Sequence, residues 1–196
     1  MVRGRSYISK PRRRRTGKTH YGRRKKLIQS RLPRLVLRIS NKHTAVQFIE
    51  AKIVGDRVLA SAHSRNLREF GWRGPCNNMP AVYLTSLLAS LRARGEGIRK
   101  AILDIGLRSP TSGAKVFASL KAASEAGLDM SYDSKVLPTE ERITGQHIAQ
   151  YAKLLSGDSN LYKRQFGGYL KRNLEPEDLP KHFSEVREKI KKSVVR

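Results

Sequence analysis

The N-terminal part of the chain lacks acidic side chains. No Asp or Glu occurs before Glu50, whereas residues 3–42 contain 16 Lys or Arg. A run of like charges repels itself and holds few apolar groups to offset an ordering cost of about 1–2 kcal/mol per residue. We therefore expect residues 1–33 to be a basic arm that is disordered in isolation and gains structure on a densely anionic partner.

Cysteine and long apolar runs are also scarce. The single cysteine, Cys76, excludes an internal disulfide and a Cys-x-x-Cys metal site, and indicates a reduced, intracellular protein. No stretch reaches the roughly 18 consecutive apolar residues of a membrane span, and the arm has no apolar stripe. A transit peptide is also Arg-rich, but Pro11, Gly17 and Gly22 interrupt the helix that it needs. The sequence favours nucleic acid over a membrane.

The charge of the whole chain supports a polyanionic partner. Its 196 residues include 41 Lys or Arg and 16 Asp or Glu, for a net charge of +25. Without the 16 basic residues of 3–42, the remainder still has 25 basic against 16 acidic side chains. A strong basic excess is the electrostatic footprint of a nucleic-acid-binding protein.

Hydrophobic periodicity predicts three antiparallel strands after the arm. Residues 34–40 alternate between apolar and other side chains, and residues 44–53 are rich in β-branched and aromatic types. The pair Gly55-Asp56 predicts a hairpin that leads into a third strand over 58–64. The alternation places Arg34 and Arg38 on the same face of the first strand.

Two helices and one or two further strands follow. Asn78 is a suitable cap for a helix. The stripe of this helix recurs at i, i+3, i+4 and i+7, namely Leu84, Leu87, Leu88 and Leu91. Residues 98–105 predict a buried strand, residues 110–113 open a second helix that Gly127 closes, and residues 128–132 suit a last strand.

The resulting fold class is α/β (α+β), a mixed sheet with helices packed on it in the order β-β-β-α-β-α-(β). Pro138 marks a boundary, after which helical periodicity dominates. The predicted organisation is a basic arm (1–33), a mixed α/β domain (34–137) and a helical C-terminal extension (138–196).

Asp104 is the one residue that invites a catalytic interpretation, because it lies in an apolar strand as in some metal-dependent nucleases. Two-metal chemistry needs several convergent carboxylates, and the available companions are Glu50 and Asp129. The alternative is that Asp104 hydrogen-bonds a neighbouring loop at the end of its strand, and this is favoured. The five histidines share no metal-ligand spacing. We predict no enzyme, no metal site and no cofactor.

The basic arm, the first strand and its turn, and a C-terminal segment carry the candidate RNA contacts. In the segment 162–172, aromatic rings alternate with cations, which suits either stacking on unpaired bases or a packed aromatic anchor. The candidate residues are Arg3, Arg5, Lys10, Arg12, Arg13, Arg14, Arg15, Lys18, Arg23, Arg24, Lys25, Lys26, Arg34, Arg38, Ser40, Asn41, Lys42, His43, Tyr162, Lys163, Arg164, Tyr169, Lys171 and Arg172.

Several stretches together resemble a known family. They are 34–43 (RLVLRISNKH), 70–74 (FGWRG), 83–88 (YLTSLL), 103–107 (LDIGL), 116–121 (VFASLK) and 137–143 (LPTEERI). They are similar to the large-subunit ribosomal proteins numbered eighteen in the universal scheme, whose eukaryotic members are called ribosomal protein L-five. The length is similar to that of archaeal members.

The resemblance implies a non-catalytic role and the same mixed fold. It implies that the protein holds 5S rRNA in the central protuberance, bridges it to large-subunit rRNA, and lies near the other 5S-binding ribosomal protein. The arm, the Arg34/Arg38 face and the turn 40–43 are then the expected contacts. The expected location is the large ribosomal subunit in the cytoplasm. The rival hypotheses are an architectural DNA-binding protein and a nuclease centred on Asp104.

Overall fold

The fold is built on a four-stranded mixed sheet. The computed structural model describes residues 8–194, with side chains to residue 193. The strands are β1 (Arg34–Ile39), β2 (Thr44–Ala51), β3 (Asp56–His63) and β4 (Ile102–Asp104), in the order β3-β2-β1-β4. β1 pairs with β2 and β2 with β3 in antiparallel fashion, whereas β4 lies parallel to β1. The predicted mixed sheet is confirmed.

The fourth strand is shorter than predicted, and the predicted fifth strand is wrong. Residues 128–132 contribute only an isolated parallel bridge, between Lys100 and Asp129. Met130 is still buried, but Tyr132 is 39% exposed. The Tyr132 hydroxyl donates to Ser124 Oγ at 3.0 Å. Residues 128–132 therefore add no strand to the sheet, and the Tyr132 side chain bonds to the helix at 115–125 instead.

One face of the sheet packs on the helix α3 (Met79–Gly95), and the helix α4 (Lys115–Glu125) packs on α3. They are numbered after two short helices of the arm, α1 (Arg12–Arg15) and α2 (Tyr21–Gln29). As predicted, Asn78 caps α3: its Oδ1 accepts the backbone N–H of Ala81 at 3.0 Å. The Leu84, Leu87 and Leu88 side chains are at most 1% exposed. α3 is buried on nearly every side and is the centre of the core.

Four more helices follow α4 in the chain, and the first and the last of them pack on α3. They are α5 (Glu140–Thr144), α6 (Gln146–Leu155), α7 (Ser159–Leu170) and α8 (Leu179–Val194). From α8, Phe183, Val186 and Ile190 enter the same hydrophobic core as the sheet. The division at residue 138 stays a prediction, but the two parts share one core. No helix within residues 8–194 is long and apolar enough to cross a membrane.

A partly buried polar contact joins three helices. The Tyr83 hydroxyl of α3 donates to the Glu125 carboxylate of α4, which also accepts from Arg187 of α8. Burial raises the pKa of Tyr83, and the hydrogen bond to Glu125 raises it further. The tyrosine is therefore held as a neutral donor at the junction of α3, α4 and α8.

The arm contains regular structure that the sequence does not predict. Its helix α2 begins at a histidine cap, where His20 Nδ1 accepts the backbone N–H of Arg23 at 3.1 Å. On the same helix, Arg24 forms an ion pair with Asp56 of β3. We attribute the difference to these contacts, since the cap satisfies a backbone donor and the ion pair joins the arm to the sheet.

The junction of α5 and α6 provides a test of the packing of the helical region. Gly145 adopts φ +84°, and a Cβ there would lie 2.8 Å from Leu179 Cδ2 and 3.1 Å from Pro80 Cγ. We expect Gly145→Ala to lower the free energy of unfolding by about 1–3 kcal/mol, because the left-handed conformation and the contact are both unfavourable for alanine. Urea denaturation measures this change.

The matched control is Gly157→Ala, in the loop between α6 and α7. A Cβ at Gly157 has no neighbour within 4 Å, and its φ lies outside the left-handed range. We expect this variant to keep the wild-type stability. Equal stability of the two variants would contradict the packing of Gly145 against Leu179.

Candidate nucleic-acid interface

Arg34 is a structural residue, which corrects its predicted role as an exposed RNA contact. Its residue surface is 2% exposed, and its guanidinium lies between two carboxylates. Nη1 is 2.8 Å from Asp104 Oδ2, and Nη2 is 2.7 Å from Asp56 Oδ2. A buried guanidinium with two carboxylate partners has no surface left for a phosphate, so Arg34 joins β1, β3 and β4 within the protein.

The Asp104 carboxylate is bound by neighbouring residues of the protein, which removes the nuclease interpretation. Besides binding Arg34, it accepts the backbone N–H of Gly106 on Oδ1 at 2.9 Å, which is the loop contact that the sequence favoured. Its suggested companions are paired elsewhere, Glu50 with Lys52 and Asp129 with Lys100. Among residues 8–194, no group of three His, Cys, Asp or Glu could hold a metal ion.

Asp56 holds the arm against the sheet. Its Oδ1 lies 2.8 Å from Arg24 Nη2 of α2, while Oδ2 binds Arg34. Burial alone would raise the pKa of Asp56, but the hydrogen bonds and charges of Arg24 and Arg34 lower it below its ordinary value. The carboxylate is therefore ionised at neutral pH and connects the basic arm to the buried Arg34–Asp104 pair.

The arm and the edge of the sheet enclose a basic cleft. It has a volume of about 690 Å³ and lies between the arm, the carboxyl ends of β1 and β4, and the loop 105–110. Seven cationic side chains line it: Arg13, Lys18, Arg23, Arg24, Lys26, Arg38 and Arg108. The one carboxylate in this lining is Asp104, which Arg34 already neutralises. The cleft therefore presents a positive surface to the solvent.

The other predicted arm residues that the structure describes do not line this cleft. Five are exposed on or before the two arm helices, namely Lys10, Arg12, Arg14, Arg15 and Lys25. None of the 16 acidic residues precedes position 50, so their charge is balanced by no neighbour in sequence. The predicted contacts Arg3 and Arg5 lie outside the described residues.

The turn 40–43 lies beside the carboxyl end of β1. Ser40 closes it, because its Oγ accepts the backbone N–H of His43 at 2.9 Å and donates to the His43 carbonyl. The Asn41 carbonyl accepts a hydrogen bond from Asn77. Lys42 is exposed. The structure thus gives Ser40 and Asn41 local roles and leaves Lys42 as the accessible cation of the turn.

The C-terminal aromatic residues are packed, which corrects the prediction that Tyr162 and Tyr169 stack on bases. Tyr169 is 9% exposed, and both tyrosines pack against Phe166 on α7. The Tyr162 hydroxyl donates to the Glu177 carboxylate at 2.8 Å. Burial and this hydrogen bond raise the pKa of Tyr162 to about 12. The aromatic-anchor alternative is therefore the one that the structure supports.

The cations of this segment divide into two groups. Arg172 donates to the Gly168 carbonyl at 2.6 Å and to the Gly74 carbonyl at 3.0 Å, so it fastens α7 to the loop before α3. Lys163, Arg164 and Lys171 are exposed, but none of them lines the basic cleft. Their contact with RNA stays a prediction.

Sequence reasoning missed Asp56, Arg108 and His63. Asp56 was assigned only to a hairpin turn. Arg108 Nη2 donates to the Ile39 carbonyl at 2.7 Å across the cleft wall. His63 lies beside His43, with ring centroids 5.1 Å apart. Burial, the charge of His43 and that of Arg65 lower the pKa of His63. The position of Arg108 just after the fourth predicted strand was the available signal, since ligand-binding loops follow the carboxyl ends of parallel strands.

A mixed α/β body that presents a one-signed basic arm and cleft is typical of structural nucleic-acid-binding proteins. Over residues 5–96 and 92–133 the chain matches the family described as "Ribosomal large subunit proteins 60S L5, and 50S L18". It is 50% identical over 195 residues to "Large ribosomal subunit protein uL18" of Aeropyrum pernix, which covers 98% of this chain and 91% of that protein. The protein of the same name from Ignicoccus hospitalis is 50% identical over 192 residues, or 97% and 94% of the two chains.

The chain therefore belongs to the L5/L18 family of ribosomal large-subunit proteins. The resemblance of its motifs to that family is confirmed. Members of the family are structural proteins and not enzymes, in agreement with the occupied state of Asp104.

Two arginines of β1 provide a test of these assignments. We expect Arg34→Leu to lower the free energy of unfolding by on the order of 3 kcal/mol, because it leaves the buried Asp104 carboxylate without its ionic partner. Arg38→Leu, on the same strand, should change stability by less than about 0.5 kcal/mol, since the Arg38 side chain is 53% exposed. Urea denaturation near neutral pH compares them. Similar losses in both variants would contradict a structural role confined to Arg34.

Proposed function

We propose that the protein binds 5S rRNA and bridges it to large-subunit rRNA in the central protuberance of the ribosome. Family membership supports assembly into the large subunit, and the relatives from Aeropyrum and Ignicoccus carry that subunit in their names. The resemblance of the strand–turn motif 34–43 to 5S-binding proteins supports the particular RNA. The protein's location in this proposal is the cytoplasmic ribosome, next to the other 5S-binding protein.

The observation that carries the proposal is the basic cleft together with the acid-free arm. All seven cations of the cleft lie within the arm or at the sheet edge beside it. Guanidinium groups bridge phosphates through paired N–H donors, and this suits the joining of two separate RNA segments. The proposed contacts are the arm, Arg38, Lys42 and Arg108, with Arg34 in a supporting position.

An architectural DNA-binding protein is the rival proposal, because charge alone does not distinguish the two nucleic acids. Duplex DNA is usually read by a helix that projects base-reading polar side chains into the major groove. In α2 (Tyr21–Gln29) four of the nine residues are Lys or Arg, which can bind the phosphates of either nucleic acid. Direct competition between the two nucleic acids decides the question.

Salt-dependent binding tests the electrostatic part of the proposal. For about 6–10 neutralised phosphates we expect the affinity for 5S rRNA to fall by about 10³–10⁵ between roughly 50 and 200 mM salt. Replacing Arg12, Arg13, Arg14 and Arg15 by Gln should reduce the slope of log K against log salt by up to about 3, because four phosphate contacts are lost. Filter binding measures both quantities.

Competition tests the choice of partner. Unlabelled 5S rRNA should displace labelled 5S rRNA far more effectively than duplex DNA of equal length does. Equal displacement by the two would favour the architectural DNA-binding protein. A flat salt dependence would contradict the electrostatic account of the arm itself.

Asp56 provides a second test, in which positioning and charge predict opposite results. Asp56→Asn removes one negative charge, so simple electrostatics predicts tighter RNA binding. We expect weaker binding, by several-fold, because the arm loses the Arg24–Asp56 ion pair that holds it beside the sheet. Glu69→Gln removes the same charge from a surface residue that does not line the cleft, and is the control. Tighter binding by both variants would contradict the positioning role of Asp56.

A further inference from the structure

The basic cleft contains an apolar surface that phosphate binding does not explain. Its lining includes Leu107, which is 56% exposed, and the partly buried Ile39, Leu103 and Ile105. Leu27 of α2 contributes from the side of the arm. Phosphates need only donors and positive charge, so a site for the backbone alone would gain nothing from exposed aliphatic groups. We call the cationic side chains of this lining the rim and its aliphatic side chains the floor.

The cleft lies where open α/β sheets commonly bind ligands. β1 and β4 are parallel, so their carboxyl ends meet at one edge, and the cleft opens just outside that edge. The loop that follows β4 is held in place, because Gly106 at φ +65° donates its N–H to Asp104. A Cβ at this glycine would lie 3.0 Å from Arg38 Nη1, so the guanidinium packs directly on the backbone of the loop.

Two arginines of the cleft are fixed by backbone contacts and retain donors for a ligand. Arg38 Nη1 donates to the Leu37 carbonyl at 2.9 Å, and Arg108 Nη2 donates to the Ile39 carbonyl at 2.7 Å. A guanidinium has several N–H donors in a planar fork, and these contacts use only some of them. Both side chains therefore present oriented donors beside the aliphatic floor.

We propose that this cleft holds an unstacked nucleotide of the bound RNA, with its base on the aliphatic floor and its phosphates at the cationic rim. A paired base has its faces covered by its neighbours in the stack, so an aliphatic floor is accessible only to a base that has left a helix. The volume of about 690 Å³ is within the ordinary range of a ligand pocket. This inference rests on the proposed function and names the kind of RNA element that the site takes, a loop or a bulge.

A free mononucleotide would present the same base and phosphate to the cleft as an unstacked nucleotide of RNA. The distribution of cations on the protein distinguishes the two occupants. The cations of the arm continue beyond the cleft through Arg12, Arg14, Arg15 and Lys25, as a polymer of phosphates requires. A mononucleotide would use only the rim. The continuous polyanion is therefore the occupant that the whole basic surface fits.

Photocrosslinking in the full-length protein tests the position of the nucleotide. A photoreactive phenylalanine analogue replaces Leu107, and the complex with 5S rRNA is irradiated and mapped by primer extension. We expect adducts at one or a few nucleotides in a loop or bulge. Adducts confined to paired regions, or none while the RNA remains bound, would overturn the proposal.

Affinity measurements test the contribution of the floor. Leu107→Ala should weaken 5S rRNA binding at least about fivefold, a loss within the range expected for the burial of an exposed aliphatic side chain. The slope of log K against log salt should stay unchanged, because no charge is removed. The control is Leu161→Ala on α7, whose leucine is 48% exposed and does not line the cleft. Wild-type affinity of the Leu107 variant, or an equal loss in both variants, would overturn the proposal.

Two outcomes separate this inference from the proposed function. If both leucine variants bind 5S rRNA as tightly as the wild type, RNA binding stands and the nucleotide site is wrong. If the wild-type protein does not prefer 5S rRNA over duplex DNA, the proposed function itself fails. Binding of adenosine monophosphate to the protein alone is a further measurement. Saturable micromolar binding that Leu107→Ala abolishes, without an RNA adduct at position 107, would assign the cleft to a free nucleotide.

Discussion

The ion pairs of Arg34 with Asp104 and Asp56 connect three strands of the sheet and, through Asp56, the arm. A purely apolar core could not make this connection. Arg34 begins β1, Asp104 ends β4 and Asp56 begins β3, so one guanidinium fixes strands on both sides of β1. Buried ion pairs often add little net stability over apolar packing, because desolvation offsets their attraction. Here the pairing has a geometric result: Asp56 retains an oxygen for Arg24, and α2 is held beside the sheet edge. The shape of the cleft depends on this chain of contacts.

The elements with strong local signals were predictable from sequence. α3 begins next to Asn78, as predicted, and buries three of the four leucines of the predicted stripe, while Leu91 is partly buried. The region after Pro138 is helical, as its periodicity predicts. The predicted strand β1 is confirmed, but its predicted basic face is buried at Arg34 and Val36. Alternation reports only which side chains share a face, however, and not what covers that face. Arg34 and Arg38 share a face, yet one is buried by two carboxylates distant in sequence and the other is exposed.

The same limitation applies to the aromatic residues of the C-terminal segment and to the helices of the arm. Tyr162 and Tyr169 lie among cations in the sequence, which suits both RNA and a protein interior. Only the positions of Glu177 and Asn78 decide between them, and these are tertiary contacts. In the arm, the charge density opposes local order, and the ordering contact is with Asp56, which lies 32 residues beyond Arg24. Local patterns contain no information about such partners.

The packing of α8 on α3 has a consequence for the order in which the protein matures during synthesis. Tyr83 of α3 touches the Phe183 ring, with centroids 5.5 Å apart, and Trp72 stacks on His182 at 5.2 Å. The residues of α8 that complete the core are thus synthesised after the sheet and α3, whereas the arm is synthesised before them. During synthesis the basic arm is therefore exposed before the sheet and its helices have folded. The basic arm, which is the segment best suited to attract RNA, is therefore exposed before the strands and turn that are expected to give RNA specificity have folded.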